Sequence, residues 1–90
     1  MRVAIICKDK PGALQIRLDT RPDHAAYLKT GNMVEMAGPL LDEQDQMCGS
    51  LIILKVENMT QAHDWVGSDP YGLAGLFQSV MIKEWNKVIG

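Results

Sequence analysis

Two short strings hold the residues of this chain that could move a proton. The first is Arg21-Pro22-Asp23-His24-Ala25-Ala26-Tyr27-Leu28, with a histidine three positions after an arginine and four before a leucine. On a helix those three side chains share one stripe. The second is Asp69-Pro70-Tyr71, a carboxylate at the start of a Pro-Tyr turn. Imidazole and carboxylate are common parts of a small acid/base site. The acid holds the ring in one tautomer while the other ring nitrogen takes or gives a proton. Whether the strings meet depends on the elements that carry them.

Each candidate has a structural reading beside its chemical one. His24 lies on the Arg21, Ala25 and Leu28 side of its helix and faces inward, either as a general base or as a neutral imidazole bonded to a carbonyl. Asp69 before Pro70 is a good helix N-cap, a role compatible with a second bond to an imidazole. Arg21 suits bidentate capture of a substrate carboxylate, or is a solvated first-turn arginine. Tyr71 either donates a hydrogen bond into a pocket or packs its ring, and Ser50 is placed to be a polar wall residue. His63, between Gln61 and Asp64, reads as surface.

The elements follow from pattern and punctuation. Val3–Cys7 is a β-rich run closed by Lys8-Asp9-Lys10-Pro11-Gly12, and reads as the first strand. Residues 13–18 suit a short helical turn. A helix proper then starts at Thr20, with Asp23 three positions on as a capping box and Pro22 in its first turn, and stops at Gly31. Residues 32–37 form a second strand ended by Gly38-Pro39, and residues 40–46 a loose acidic connection. Met47–Val56 is a third strand. A second helix, capped by Asn58 and Gln61, ends at Gly67, a short turn follows Asp69, and Phe77–Val88 is the last strand. This β-α-β-β-α-β order is the ferredoxin-like plan, α+β, with a four-stranded antiparallel sheet and both helices on one face.

The third strand does not alternate: Leu51-Ile52-Ile53-Leu54 is apolar throughout. Such a strand is buried on both sides, and two helices cover one face only. A second copy of the chain, sheet against sheet, is the simplest cover for the other, so a homodimer is expected.

Composition removes several function classes. Ninety residues make a single domain, 1–90, with 47% apolar content and net charge −2. The nine basic residues form no stripe, which argues against nucleic acid. The longest apolar runs are strand-sized, far short of the roughly 20 residues of a membrane-spanning helix. The N-terminus does not read as a signal peptide, so a reducing cytoplasm is expected. Cys7 and Cys48 have no CxxC spacing and read as packing residues. No His or Cys pair has metal-ligand spacing, the acidic Asp42, Glu43 and Asp45 lack an EF-hand pattern, and no nucleotide-binding fingerprint occurs. Neither metal nor cofactor is implied.

Over its whole length the chain resembles the YciI-like (YCII-related) proteins of the dimeric α+β-barrel superfamily. The resemblance rests on the opening strand, Arg21-Pro22-x-His24-x-x-Tyr27-Leu28, Ala37-Gly38-Pro39-Leu40, Gly49-Ser50, Asp69-Pro70-Tyr71 and the last strand, in that order. It implies two ferredoxin-like subunits packed sheet to sheet, one pocket per subunit, and a histidine-aspartate pair at His24 and Asp69. Relatives of this kind include dehydrochlorinases of aromatic degradation, and distant ones include muconolactone isomerases and monooxygenases. The chain departs from the usual pattern at Gly72-Leu73-Ala74-Gly75 and in the acidic loop 42–48. The expectation is a small cofactor-free enzyme for elimination or isomerisation of a small carboxylate or aromatic-derived metabolite. His24 would be its base, Asp69 the orienter, and Arg21, Ser50 and Tyr71 the substrate contacts. The alternative is a non-catalytic dimeric module that binds a small ligand or a partner protein.

Overall fold

Strand β1 (Arg2–Asp9) buries alternate residues, Val3, Ile5, Cys7 and Asp9, and so has one face in the core. Its central place in the sheet follows from pairing on both sides. In the computed structural model, which describes residues 1–90, four antiparallel strands run in the order β2-β3-β1-β4. β2 is Val34–Leu41, β3 is Met47–Lys55 and β4 is Phe77–Trp85. Helices α1 (Leu14–Leu28), α2 (Met59–Gly67) and the single turn α3 (Pro70–Leu73) complete the ferredoxin-like order. The core lies between sheet and helices: Val3, Ile5, Cys7, Ile52 and Leu54 pack with Ala62 and Trp65, with Tyr27 and Leu28 at its margin.

Three larger differences from the expected boundaries stand out. The break at Thr20 does not occur: α1 is one helix of 15 residues, and Thr20 and Asp23 lie within it rather than forming a capping box. Its N-cap is Ala13, which has no side chain to cap with, and Pro22 is carried inside the helix. An internal proline removes one N–H and crowds the preceding turn, a cost of about 3 kcal/mol or more. The compensation is tertiary. The buried residues of α1 are Arg17 and His24, seven positions apart and on one face on either side of the proline, and both are held by polar partners from outside the helix.

β2 runs through Gly38-Pro39 to Leu41 instead of stopping at Ala37. As an edge strand it bonds only β3, where a proline without an N–H is tolerated. The acidic connection tightens into a turn in which the Asp42 carboxylate accepts from the Gln44 and Gln46 amides. β4 ends at Trp85, which pairs with Arg2 at the end of its ladder with β1, rather than at Val88. α2 and α3 start as expected. Asn58 Oδ1 accepts from the Gln61 amide, and Asp69 Oδ1 from the Tyr71 amide.

The register puts Ile52 and Leu54 on the helix side with Ile5 and Val3, and Leu51 and Ile53 on the other with Ile6 and Ala4. Ile53 is buried within the chain, whereas Leu51, Ile6, Met36, Leu40, Met81 and Trp85 are exposed on that outer face. A sheet face left this apolar is unlike the polar outer face of an antiparallel sheet that meets water. No helix is long and apolar enough to cross a membrane.

Candidate active site

His24 sits on the third turn of α1, buried, and its Nδ1 is 2.8 Å from Asp69 Oδ1. Asp69 is buried at the junction of α2 and α3, where the Asp-Pro sequence starts the turn and aims the carboxylate back toward α1. The same oxygen accepts from the Tyr71 amide at 3.0 Å. A carboxylate has only acceptors, so the hydrogen between the two groups belongs to Nδ1 and the lone pair to Nε2. Nε2 makes no hydrogen bond within the chain, and His24 lines a cavity of about 190 Å³. Asp69 lies behind the imidazole and outside the cavity lining. The arrangement is a base with its rear nitrogen fixed and its front nitrogen open.

Three planar groups are layered beside this cavity. The His24 and Tyr71 rings stack at 3.9 Å between centroids, 18° from parallel. On Tyr71 also lies the Arg17 guanidinium, its Cζ 4.5 Å from the ring centroid. Stacking sets the imidazole plane, while the carboxylate sets its rotation. Tyr71 is further fixed by Phe77, edge-on at 6.1 Å. Burial raises the Tyr71 phenol above its ordinary pKa, against the opposing pull of Arg17 and Arg21. The phenol therefore stays protonated near neutrality, able to donate.

Arg17 and Asp9 are the residues that local pattern did not reveal. Arg17 is only 2% exposed and donates to Asp9 twice, from Nε at 2.7 Å and Nη2 at 2.8 Å. Nη2 also donates to Ser50 Oγ at 3.0 Å. Burial works against the guanidinium charge, but the Asp9 bonds outweigh it and hold Arg17 charged. Reading residues 13–18 as a separate turn hid the signal. On one continuous helix Arg17, Arg21 and His24 fall at i, i+4 and i+7, a single stripe.

The remaining sequence candidates divide as follows. Ser50 lines the cavity from β3, buried, beneath Arg17. Arg21 lines its rim, exposed and without an ion-pair partner. Tyr71 lines the wall, and Ala25, Leu28, Pro39 and Ile52 supply apolar surface. His63 is exposed on α2, away from this group. Cys7 is buried, its thiol pushed up to about 12 chiefly by desolvation, so it is not a nucleophile near neutrality. No three His, Cys, Asp or Glu side chains converge.

Comparison with known proteins places these residues in context. The YCII-related domain profile matches residues 1–86. An uncharacterized protein of Haemophilus influenzae is 35% identical over 97 aligned positions, covering 98% of this chain and 99% of the relative. Protein YciI of Escherichia coli is 34% identical over 98 positions, covering 98% and 99%. Among solved structures, the 5-chloro-2-hydroxyhydroquinone dehydrochlorinase TftG of Burkholderia phenoliruptrix, in complex with 2,5-dihydroxybenzoquinone, superposes with a TM-score of 0.87. It is 34% identical, and the match covers 96% of this chain and 94% of that one. An antibiotic biosynthesis monooxygenase at 11% identity and a TM-score of 0.57, matched over 96% and 98%, shares the fold alone. The match to the family profile over nearly the whole chain, joined to identities above one third with full-length relatives, makes this chain a member of the YCII-related family.

Proposed function

We propose that this protein is a small enzyme that abstracts a proton from a compact, oxygen-bearing ring or carboxylate metabolite, leading to elimination or isomerisation. The observation that carries the reading is the 2.8 Å His24–Asp69 bond behind an imidazole whose other nitrogen opens into the cavity. His24 is the general base, and Asp69 selects its tautomer and stabilises the imidazolium formed in the transfer. Arg21 holds a carboxylate or phenolate at the rim, while Tyr71 and Ser50 contact the ring. An engineered apolar cavity of about 150 Å³ takes benzene, so about 190 Å³ has room for one substituted ring. The dehydrochlorinase neighbour, solved with a dihydroxybenzoquinone, supports an aromatic-derived substrate for this chain too.

The test is a turnover screen over halogenated hydroquinones, small aromatic acids and lactones, followed by His24→Gln. Glutamine keeps hydrogen-bonding capacity but cannot take the proton, so the rate should fall by roughly 10²–10⁴-fold with the fold intact. Full turnover in His24→Gln defeats the assignment. Binding without turnover in the wild type favours instead a ligand-binding module, a reading supported by Asp69 already serving as the α3 cap.

The working unit is proposed to be a homodimer joined through the outer sheet face. Support comes from the six exposed apolar side chains there: Ile6, Met36, Leu40, Leu51, Met81 and Trp85. Contiguous apolar surface of this kind marks an interface more often than a free face.

A further inference from the structure

The hydrogen-bond bookkeeping around Ser50 assigns it a direction. Arg17 Nη2 donates to Ser50 Oγ at 3.0 Å, and a guanidinium can only donate. Ser50 Oγ has no other hydrogen-bond partner within the chain, so its own hydrogen is not engaged there. Ser50 lines the cavity, which leaves that hydrogen for the occupant. Donation from a cation polarises the hydroxyl and makes it a stronger donor. Arg17 is itself tied to Asp9 by bonds of 2.7 and 2.8 Å, and its guanidinium lies over the Tyr71 ring. Arg17 lines the cavity as well, so its charge acts on an occupant across the lining and through Ser50, to which Nη2 donates.

The cavity therefore has a defined polarity. Arg17 and Arg21 only donate, Ser50 is turned to donate, and the protonated Tyr71 phenol has a hydrogen to give. The one strong acceptor is His24 Nε2. Such a lining matches an occupant with one acidic hydrogen and several oxygen acceptors.

We propose that Ser50, polarised by Arg17, is the donor that receives the negative charge developing on a substrate oxygen as His24 removes a proton. The ligand class is then a carbonyl or phenolic ring compound that becomes an enolate or phenolate in the site. In the enol-forming case a C–H bond breaks, its proton goes to Nε2, and its electron pair moves onto the adjacent carbonyl oxygen, facing Ser50. Return of the pair to carbon, with the proton delivered elsewhere or a leaving group expelled with its bonding electrons, completes the reaction with no net oxidation. Donors pre-aimed at developing oxyanions supply a large share of such catalysis.

The reaction assigned to Ser50 rests on the general-base reading above, but the test of its donor role needs no turnover. 4-Nitrophenol is titrated into the wild type, Ser50→Ala and Ser50→Thr, with nitrophenolate absorbance followed against pH, and nitrobenzene serves as the uncharged control. Wild type should bind the phenolate form and lower the pKa of the bound phenol below its free value. Ser50→Ala should weaken phenolate binding by about 10- to 100-fold, the loss expected for a hydrogen bond to a charged group, leave nitrobenzene binding unchanged, and be rescued by Ser50→Thr. Equal effects on both probes, an unshifted phenol in the wild type, or no phenolate binding at millimolar concentration each overturn the proposal. The two readings separate cleanly. Ser50-dependent phenolate binding without any turnover keeps the donor and removes the base, whereas turnover lost in His24→Gln but unchanged in Ser50→Ala keeps the base and removes the donor.

Discussion

Replacing Asp69 by asparagine separates the two duties of that carboxylate, and the structure fixes what each variant should do. One oxygen, Oδ1, accepts from both His24 Nδ1 and the Tyr71 amide, at 2.8 and 3.0 Å, and no donor contacts Oδ2. An asparagine is therefore expected to put its carbonyl oxygen at the Oδ1 position and its amide nitrogen where Oδ2 was. The cap survives, since asparagine and aspartate cap about equally well. The imidazole keeps its hydrogen on Nδ1. What is lost is the charge, and a neutral hydrogen bond in place of a charge-assisted one costs about 1 kcal/mol. In the proposed mechanism the same charge stabilises the imidazolium in the transition state, so turnover should fall by roughly 10- to 100-fold, less than in His24→Gln. Alanine removes everything. The cap costs about 1 kcal/mol, and the buried Nδ1–H left without an acceptor about 1–3 more. The total, about 2–4 kcal/mol, is a large part of the stability of a small domain. At about 4–8 °C per kcal/mol, Asp69→Ala should melt at least 8 °C lower than the wild type, and Asp69→Asn by no more than about 8 °C. Thermal melts, ring-nitrogen NMR of His24 and hydrogen exchange at the Tyr71 amide read the three consequences independently. An Asn variant in the Nε2–H tautomer, or with an unprotected Tyr71 amide, would refute the shared-oxygen geometry. Undiminished turnover would refute the role of the charge.

Asp9→Ala strands the Arg17 guanidinium in the core with Ser50 as its remaining hydrogen-bond partner; breaking a buried pair from one side costs about 3–5 kcal/mol, which urea denaturation should register as an expanded or unfolded chain. Leu51→Lys should convert the proposed dimer to monomer or unfold it, and sedimentation of a well-folded wild-type monomer at micromolar concentration would contradict the dimer. Cys7 contributes a pH dependence of known sign. Its thiol is raised by burial to about 12 in the fold, so the unfolded chain ionises first. The stability Cys7 contributes is complete below the ordinary thiol range and falls as pH rises from there toward 12. Urea midpoints measured across that window should drop more steeply for the wild type than for Cys7→Ala, and parallel profiles would show the thiol to be less buried than the structure has it.

What was legible in the sequence follows from which interactions are local. The α2 cap at Asn58 and the Asp69-Pro70 start of α3 are set within three residues, and both stand as expected. The order of elements along the chain follows from apolar runs and turn residues, and the lack of alternation in Leu51–Leu54 correctly marks a sheet with apolar side chains on both faces. Strand ends are set by partners instead. β2 continues through Pro39 because an edge position forgives the missing N–H, and β4 stops with its last ladder pair, Trp85 opposite Arg2. No residue within β2 or β4 carries that information.

α1 is the instructive failure. Hydrophobic periodicity finds a helix by the apolar stripe it buries, and α1 buries an arginine and a histidine. Judged locally, Thr20, Pro22 and an uncapped Ala13 favour two pieces; judged by tertiary contacts, Asp9 and Ser50 hold the first half and Asp69 the second. Those contacts come from β1, β3 and the α2–α3 junction, so they exist only once the chain has folded. The helix is continuous with its two buried polar residues, Arg17 and His24, partnered from other elements, and those contacts tie the His24 ring and Ser50 to one cavity. A chain that needed α1 only for packing would have an apolar stripe and a cap at this point. Local consistency has been given up where the proposed chemistry is placed, as expected when a functional site rather than the core dictates the residues.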